Sequence, residues 1–322
     1  MKHFDIAIAK KYAFIKNCPE HQIVTLLESN GCDPSPAFGY QLLSPGAFLF
    51  CCLEAGEVQL DQLSGNIWKG LANACGVTNE EGDSGRFPEG LEGAIRFHGL
   101  PLMTSCDSYE LDYSNHYLTK HIGTRVVILE AEGEGKRYLL GEAPFQLAAW
   151  VDRSVLLKAH QGQQTGRGYY HVPRLPKDPV GRTVYEIAED HAKLLREVQE
   201  RGGEELQVLV RLEILDGLRA SIQQVNECVL HIQAGWLKLR QFYRWLYDQT
   251  GHEPFREPME AVDPLVRDWQ RFQMECVKIV RRPVADGAGI RTVLNHILDQ
   301  EASWLRASGR TLQQFLGEAR TL

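Results

Sequence analysis

The sequence predicts an α+β first half followed by an all-helical second half. Three observations carry this. From Met1 to about Tyr170, glycines and prolines punctuate short apolar segments, the pattern of a layered α+β fold. Beyond them, Thr183–Arg201, Glu204–Thr250, Ala261–Val280 and Gly289–Ser308 carry helical apolar spacing. Between the two halves, Gln161–Pro179 is rich in Gly, Pro and polar residues, has no period, and reads as a linker. The expected domains are residues 1–170 and 180–322.

Each element follows in order. Ile23, Leu26 and Leu27 have helical spacing, Pro19 suits the first turn, and Asn30-Gly31 is a stop. That places Cys18 at the N-cap. The apolar run Phe48 to Leu53, with Cys51 and Cys52 inside it, reads as core. A strand is expected around Phe97 to Thr104, with His98 structural within it. Two more are expected at Thr124–Ala131 and Lys136–Gly141, joined through the hairpin signal Gly133-Glu134-Gly135. Trp150–His160 reads as a helix. In the second half, Leu206, Val210, Leu212, Leu215 and Leu218 form a core-facing stripe, and Gly217 and Gly235 are candidate breaks. No fixed-period repeat is visible, which disfavours a solenoid.

Composition narrows the function. The 322 residues carry a net charge of −7 with no long Lys/Arg stripe, so the footprint of a nucleic-acid binder is missing. No apolar run reaches the length of a membrane span, and Met1 to Lys11 has no apolar core of a signal peptide. The eight cysteines follow no Cys-x-x-Cys pairing, so neither a disulfide framework nor a zinc cluster is expected, and reduced thiols in the cytoplasm are the default. No metal or cofactor is expected. What remains for a cysteine is nucleophilic chemistry. At a helix start, unpaired N–H groups and the dipole favour a thiolate, so Cys18 is expected to be the most reactive thiol. Cys32, Cys51, Cys52, Cys75, Cys106, Cys228 and Cys276 are assigned to packing or loops. Gly82-Asp83-Ser84-Gly85 has only a superficial likeness to a serine nucleophile elbow, because it lacks the Gly-x-Ser-x-Gly pattern.

A thiolate needs an imidazole and an orienting group. In chain order the sequence offers Cys18, then Asp107-Ser108-Tyr109-Glu110-Leu111-Asp112-Tyr113, then Tyr117-Leu118-Thr119-Lys120-His121 entering a strand. This combination resembles the butirosin biosynthesis protein H N-terminal-like family. That family has a papain-like, C39-peptidase-like fold, with a central helix packed on an antiparallel sheet, and its members continue into a helical region. The resemblance covers roughly residues 10 to 160. It implies an acyltransferase that moves an acyl or aminoacyl group from the phosphopantetheine thioester of an acyl carrier protein to an amine or hydroxyl. The acceptor would be a small molecule, in natural-product or antibiotic biosynthesis. Cys18 would be the nucleophile, His121 or else His116 the base, and Glu142 the orienter. Asp107, Tyr109 and Tyr113 would lie toward the substrate. The chain departs from the family pattern in having Thr124 and Arg125 where a second histidine is expected, and Glu142-Ala143-Pro144 where Asp-Pro is expected. Two alternatives stand beside this reading: a catalytically lapsed relative that binds a carrier protein or pathway partner, and a cysteine peptidase or amidase.

Overall fold

The computed structural model describes residues 3–41, 48–49, 67–162, 168–176, 182–200, 222–281 and 288–319. The fold is mixed helix and sheet, in the α+β class. The chain divides into two compact units, Met1–Pro34 with Cys75–Pro179, and Ser35–Ala74 with Val180–Leu322. The stretch 35–74, read from the sequence as part of the first domain, thus belongs with the helical unit. Among the described residues no helix is long and apolar enough to cross a membrane.

The first unit begins with α1 (Ile6–Lys11) and α2 (Cys18–Ser29); α3 (Ile67–Cys75) belongs to the second unit up to Ala74, and the chain returns to the first at Cys75. A six-stranded antiparallel sheet follows, built from β1 (Thr78–Asp83), β2 (Leu102–Asp107), β3 (Gly123–Glu132), β4 (Arg137–Glu142), β5 (Leu147–Asp152) and β6 (Tyr169–Arg174). Its spatial order is β1-β6-β2-β3-β4-β5. Helix α4 (Leu91–His98) precedes β2, and α5 (Arg153–His160) precedes β6. The β3–β4 hairpin forms where the glycine signal predicts it. Gly133, Glu134 and Gly135 all take positive φ, which glycine adopts at no steric cost. Strand β2 is buried at every position, so it needs cover on both faces; α5 packs on β2, and α2 packs on its neighbour β3. Leu102, Val126, Ile128, Leu140, Leu156 and Val172 share one apolar core.

Several expectations fail on this sheet. Phe97 and His98 end α4 rather than begin a strand, because Leu91 and Ala94 fall on one buried helical face. Trp150 to Asp152 belong to β5, and only Arg153–His160 is helical. The expected linker contains β6, which pairs with β1 along its whole length and with β2 at Met103 and Thr104.

The second unit opens with a 3-10 segment, Ser35–Tyr40, followed by α6 (Val184–Glu200), α7 (Ile222–Thr250), α8 (Arg256–Glu260), α9 (Val262–Arg281) and α10 (Ala288–Ala319). Helix α7 runs through Gly235 without a break. The stripe from Leu206 to Leu218, Gly217, Cys51 and Cys52 lie outside the described residues. Gly39 is required where it stands, since a Cβ there would meet the Phe242 ring at 2.5 Å. His191 is fully buried, and its Nδ1–H donates to the Gly39 carbonyl at 2.6 Å, which leaves Nε2 to accept from the Tyr243 hydroxyl at 3.2 Å. Burial pulls His191 down to about 4, so the ring is neutral at physiological pH.

Candidate functional site

Cys18 is the first residue of α2, with Asn17 as its cap and Pro19 in the first turn, one position inside the place the sequence suggests. Two buried polar side chains fix this helix. His21 donates through Nε2 to the Ala9 carbonyl at 2.9 Å, which ties α2 to α1. Gln22, fully buried, donates to the Arg125 carbonyl at 2.5 Å and accepts from the Ala143 N–H at 3.1 Å. One side chain therefore fastens the turn that follows Cys18 to the start of β3 and the end of β4. Leaving either partner group unpaired in the interior costs about 1–3 kcal/mol, so the attachment is specific.

That attachment brings Cys18 into the electrostatic neighbourhood of Glu142 and Arg125. Glu142 ends β4 and is 1% exposed, with Oε2 accepting from the Tyr113 hydroxyl at 2.8 Å and Oε1 accepting from the Thr124 hydroxyl. Burial outweighs these two hydrogen bonds and lifts the Glu142 carboxyl to about 7. Burial in turn pushes the Tyr113 phenol upward, and the Glu142 charge adds to the shift.

The Cys18 thiol does not have the acidity its position in the sequence suggests. Burial raises it above the ordinary thiol value and the Glu142 charge adds to that. Arg125 and the backbone N–H of Cys18 oppose the shift without cancelling it. The helix start is present, but desolvation and a nearby carboxylate win over it.

Among the described cysteines Cys32 is shifted the other way, below its ordinary value: a side-chain hydrogen bond with Cys75 lowers it more than burial raises it. Cys32 lies in the loop that follows α2, as the sequence suggests. Iodoacetamide at pH 6.5 should modify Cys32 ahead of Cys18, as read by peptide mass mapping at partial labelling. Faster labelling of Cys18 would show that the helix start prevails over burial after all.

His121 belongs to a second group. Its Nδ1 lies 2.8 Å from Asp107 Oδ2, and because a carboxylate accepts, the proton sits on Nδ1. Asp107 is fully buried at the end of β2, and its other oxygen accepts from the Tyr109 N–H at 3.1 Å. The Tyr109 ring stacks on His121 with centroids 4.1 Å apart and planes at 21°. The imidazole is one-third exposed. His116 stands apart, edge-on to Phe145.

Of the residues singled out in the sequence, Cys18, Glu142 and Tyr113 thus come together with Thr124, Arg125 and Gln22, while His121, Asp107 and Tyr109 form their own cluster. No described hydrogen bond joins His121 to Cys18. Gln22 gave no signal in the sequence, since its role depends on two strands remote along the chain. Thr124 and Arg125 were visible only as departures from an expected pattern. Compared with protein-family models and with curated proteins, the chain matches none.

Proposed function

We propose that the first unit is a papain-like acyl-transfer domain. Cys18 accepts an acyl or aminoacyl group from a carrier-protein thioester and passes it to an amine or hydroxyl of a small molecule. The observation that carries this reading is a thiol on the first turn of α2 within electrostatic reach of a buried carboxyl that burial pushes up to about 7, with Gln22 anchoring the helix to the start of β3 and the end of β4. A carboxylate with that pKa is matched to proton transfer at neutral pH. In the first half-reaction the Cys18 sulfur attacks the thioester carbonyl carbon as its proton leaves to Glu142. The carbon–sulfur bond to the carrier breaks, and the departing phosphopantetheine thiolate takes a proton. In the second, the acceptor amine attacks the Cys18 thioester, gives up its proton to a base and displaces the thiol. His121, oriented through Nδ1 by the Asp107 carboxylate, is the imidazole on this part of the sheet suited to that second proton.

A second reading is favoured by one observation. The raised Cys18 thiol fits a lapsed relative that binds a carrier protein without reacting.

One experiment separates the two. The chain is incubated with carrier protein loaded with acetyl, butyryl and aminoacyl thioesters and then weighed intact. A covalent acyl adduct that disappears in Cys18→Ala is expected. Carrier binding by sedimentation with no adduct in the unaltered chain would establish the binding reading instead.

A further inference from the structure

The stretch Gly82 to Gly85, polar and loop-like in sequence, holds a serine in a built environment. Strand β1 ends at Asp83 and Ser84 opens a 3-10 turn, with the Asp83 side chain accepting from the Gly85 N–H at 2.8 Å. The Ser84 N–H donates to the Gly168 carbonyl at 3.1 Å, and the Ser84 carbonyl accepts from the Phe87 N–H at 3.0 Å. Both backbone polar atoms of this residue are therefore fixed.

Its side chain meets the last residue of α5. Ser84 Oγ lies 2.8 Å from His160 Nε2, and both residues are buried. On the other side of the ring, Nδ1 is 3.1 Å from the Ser105 carbonyl and 3.1 Å from Thr104 Oγ1. The Thr104 hydroxyl donates to the Tyr169 carbonyl at 3.2 Å, and a carbonyl only accepts. The ring proton must then sit on Nδ1, which leaves the Nε2 lone pair for the Ser84 hydroxyl. Burial holds the imidazole below its ordinary value, so it is neutral and able to take a proton. Gly168, at φ 68°, closes one side of the pair; a Cβ there would fall 2.7 Å from Ser84 Oγ and 3.2 Å from His160 Nε2.

Ser84 and His160 also line a cavity of about 500 Å³. Leu91 and Leu157 supply apolar wall, and Gly90, at the start of α4, has no side-chain cap. The volume falls in the range of small-molecule sites. Asp83 and Glu89 in the lining disfavour an anionic acyl part.

We propose that Ser84 and His160 are a nucleophile–base pair, separate from the Cys18 cluster, that hydrolyses esters of short uncharged acyl groups. Ser84 Oγ attacks the ester carbonyl carbon and its proton passes to His160 Nε2. The tetrahedral intermediate collapses, the carbon–oxygen bond to the alcohol breaks, and the leaving oxygen takes the proton from Nε2. Water then attacks the acyl-serine, giving one proton to Nε2, and that proton returns to Ser84 Oγ as the carboxylic acid leaves. Ester and water become acid and alcohol, with no other reactant. The Ser105 carbonyl and Thr104 are positioning groups that hold the tautomer.

The test uses the full chain carrying Cys18→Ala and Cys32→Ala, which removes the two half-buried thiols among the described cysteines. Hydrolysis of p-nitrophenyl acetate should fall at least about 100-fold when Ser84→Ala or His160→Gln is added. Phenylmethylsulfonyl fluoride should leave an adduct that peptide mass spectrometry places on Ser84, and His160→Gln should prevent it. A rate unchanged by Ser84→Ala, or an adduct found only elsewhere, overturns the proposal. Should Ser84→Ala fail to fold by circular dichroism, the adduct on the Ser84-containing chain decides alone.

Discussion

Glu142→Gln is expected to cut acyl transfer through Cys18 by roughly two to four orders of magnitude and, at the same time, to stabilise the folded chain above neutral pH. Both effects come from one property. Burial lifts the Glu142 carboxyl from its ordinary 4.5 to about 7, so the folded chain holds a proton there that the unfolded chain has released. Between those two values stability contributed by this group falls as pH rises, because the native state binds more protons than the unfolded state. The shift corresponds to about 3 kcal/mol, fully present below pH 4.5 and lost by the time the pH has passed 7. Glutamine resembles the protonated acid, keeps an acceptor for Tyr113 or Thr124, and does not ionise. Wild type and variant should therefore unfold with equal stability near pH 4.5 and diverge toward pH 8, the variant being more stable. Taking the difference between the two proteins removes other titrating groups, including His191, whose depressed value contributes in the opposite direction between about 4 and 6.5. Denaturant titrations at four pH values measure this. Parallel curves would mean that Glu142 is ionised in the folded protein throughout, and the role of proton acceptor beside the thiol would fall with it.

The largest purely structural loss is expected at Trp269→Ala in the second unit. Trp269 is fully buried on α9, and its indole N–H donates to Glu301 Oε1 at 2.8 Å on α10. Truncation removes the ring from between the two helices and takes a donor from a carboxylate that is itself 1% exposed. Losses of this kind run to about 3–5 kcal/mol for the cavity, with about 1–3 kcal/mol more for a buried acceptor left short of a partner. Trp269→Phe keeps most of the volume and should lose mainly the second part. Denaturant midpoints with an unchanged slope would read out both; a loss below about 1 kcal/mol for the alanine variant would show that the helices close over the gap.

What was legible in the sequence were the elements defined by their own residues. The β3–β4 hairpin needs only its glycines and flanking apolar runs, and α2 needs only Pro19, its apolar spacing and Asn30-Gly31. The helices from α6 onward show the same local periodicity. Elements defined by a partner were not legible. Strand β1, Thr-Asn-Glu-Glu-Gly-Asp, is polar because it lies at the sheet edge, and it is a strand only because β6 pairs with it. Strand β6 hides among glycines and prolines for the complementary reason: Tyr170 and Val172 are its buried contacts, and the pairing with β1 and β2 is not written locally.

The two candidate sites divide in the same way. The sequence by itself determined that Cys18 opens a helix, that His121 precedes a strand and that Glu142 stands at the end of one, since capping and alternation are local. The tertiary structure decided their chemistry. It placed a buried carboxylate near the half-buried Cys18, turned His121 toward Asp107, made Cys32 the more acidic thiol through Cys75, and set Ser84 against a histidine from a helix far along the chain. Acidity and proton direction depend on desolvation and on neighbours within a few ångströms. Those neighbours are supplied by strand pairing and helix packing between segments that sequence spacing does not connect.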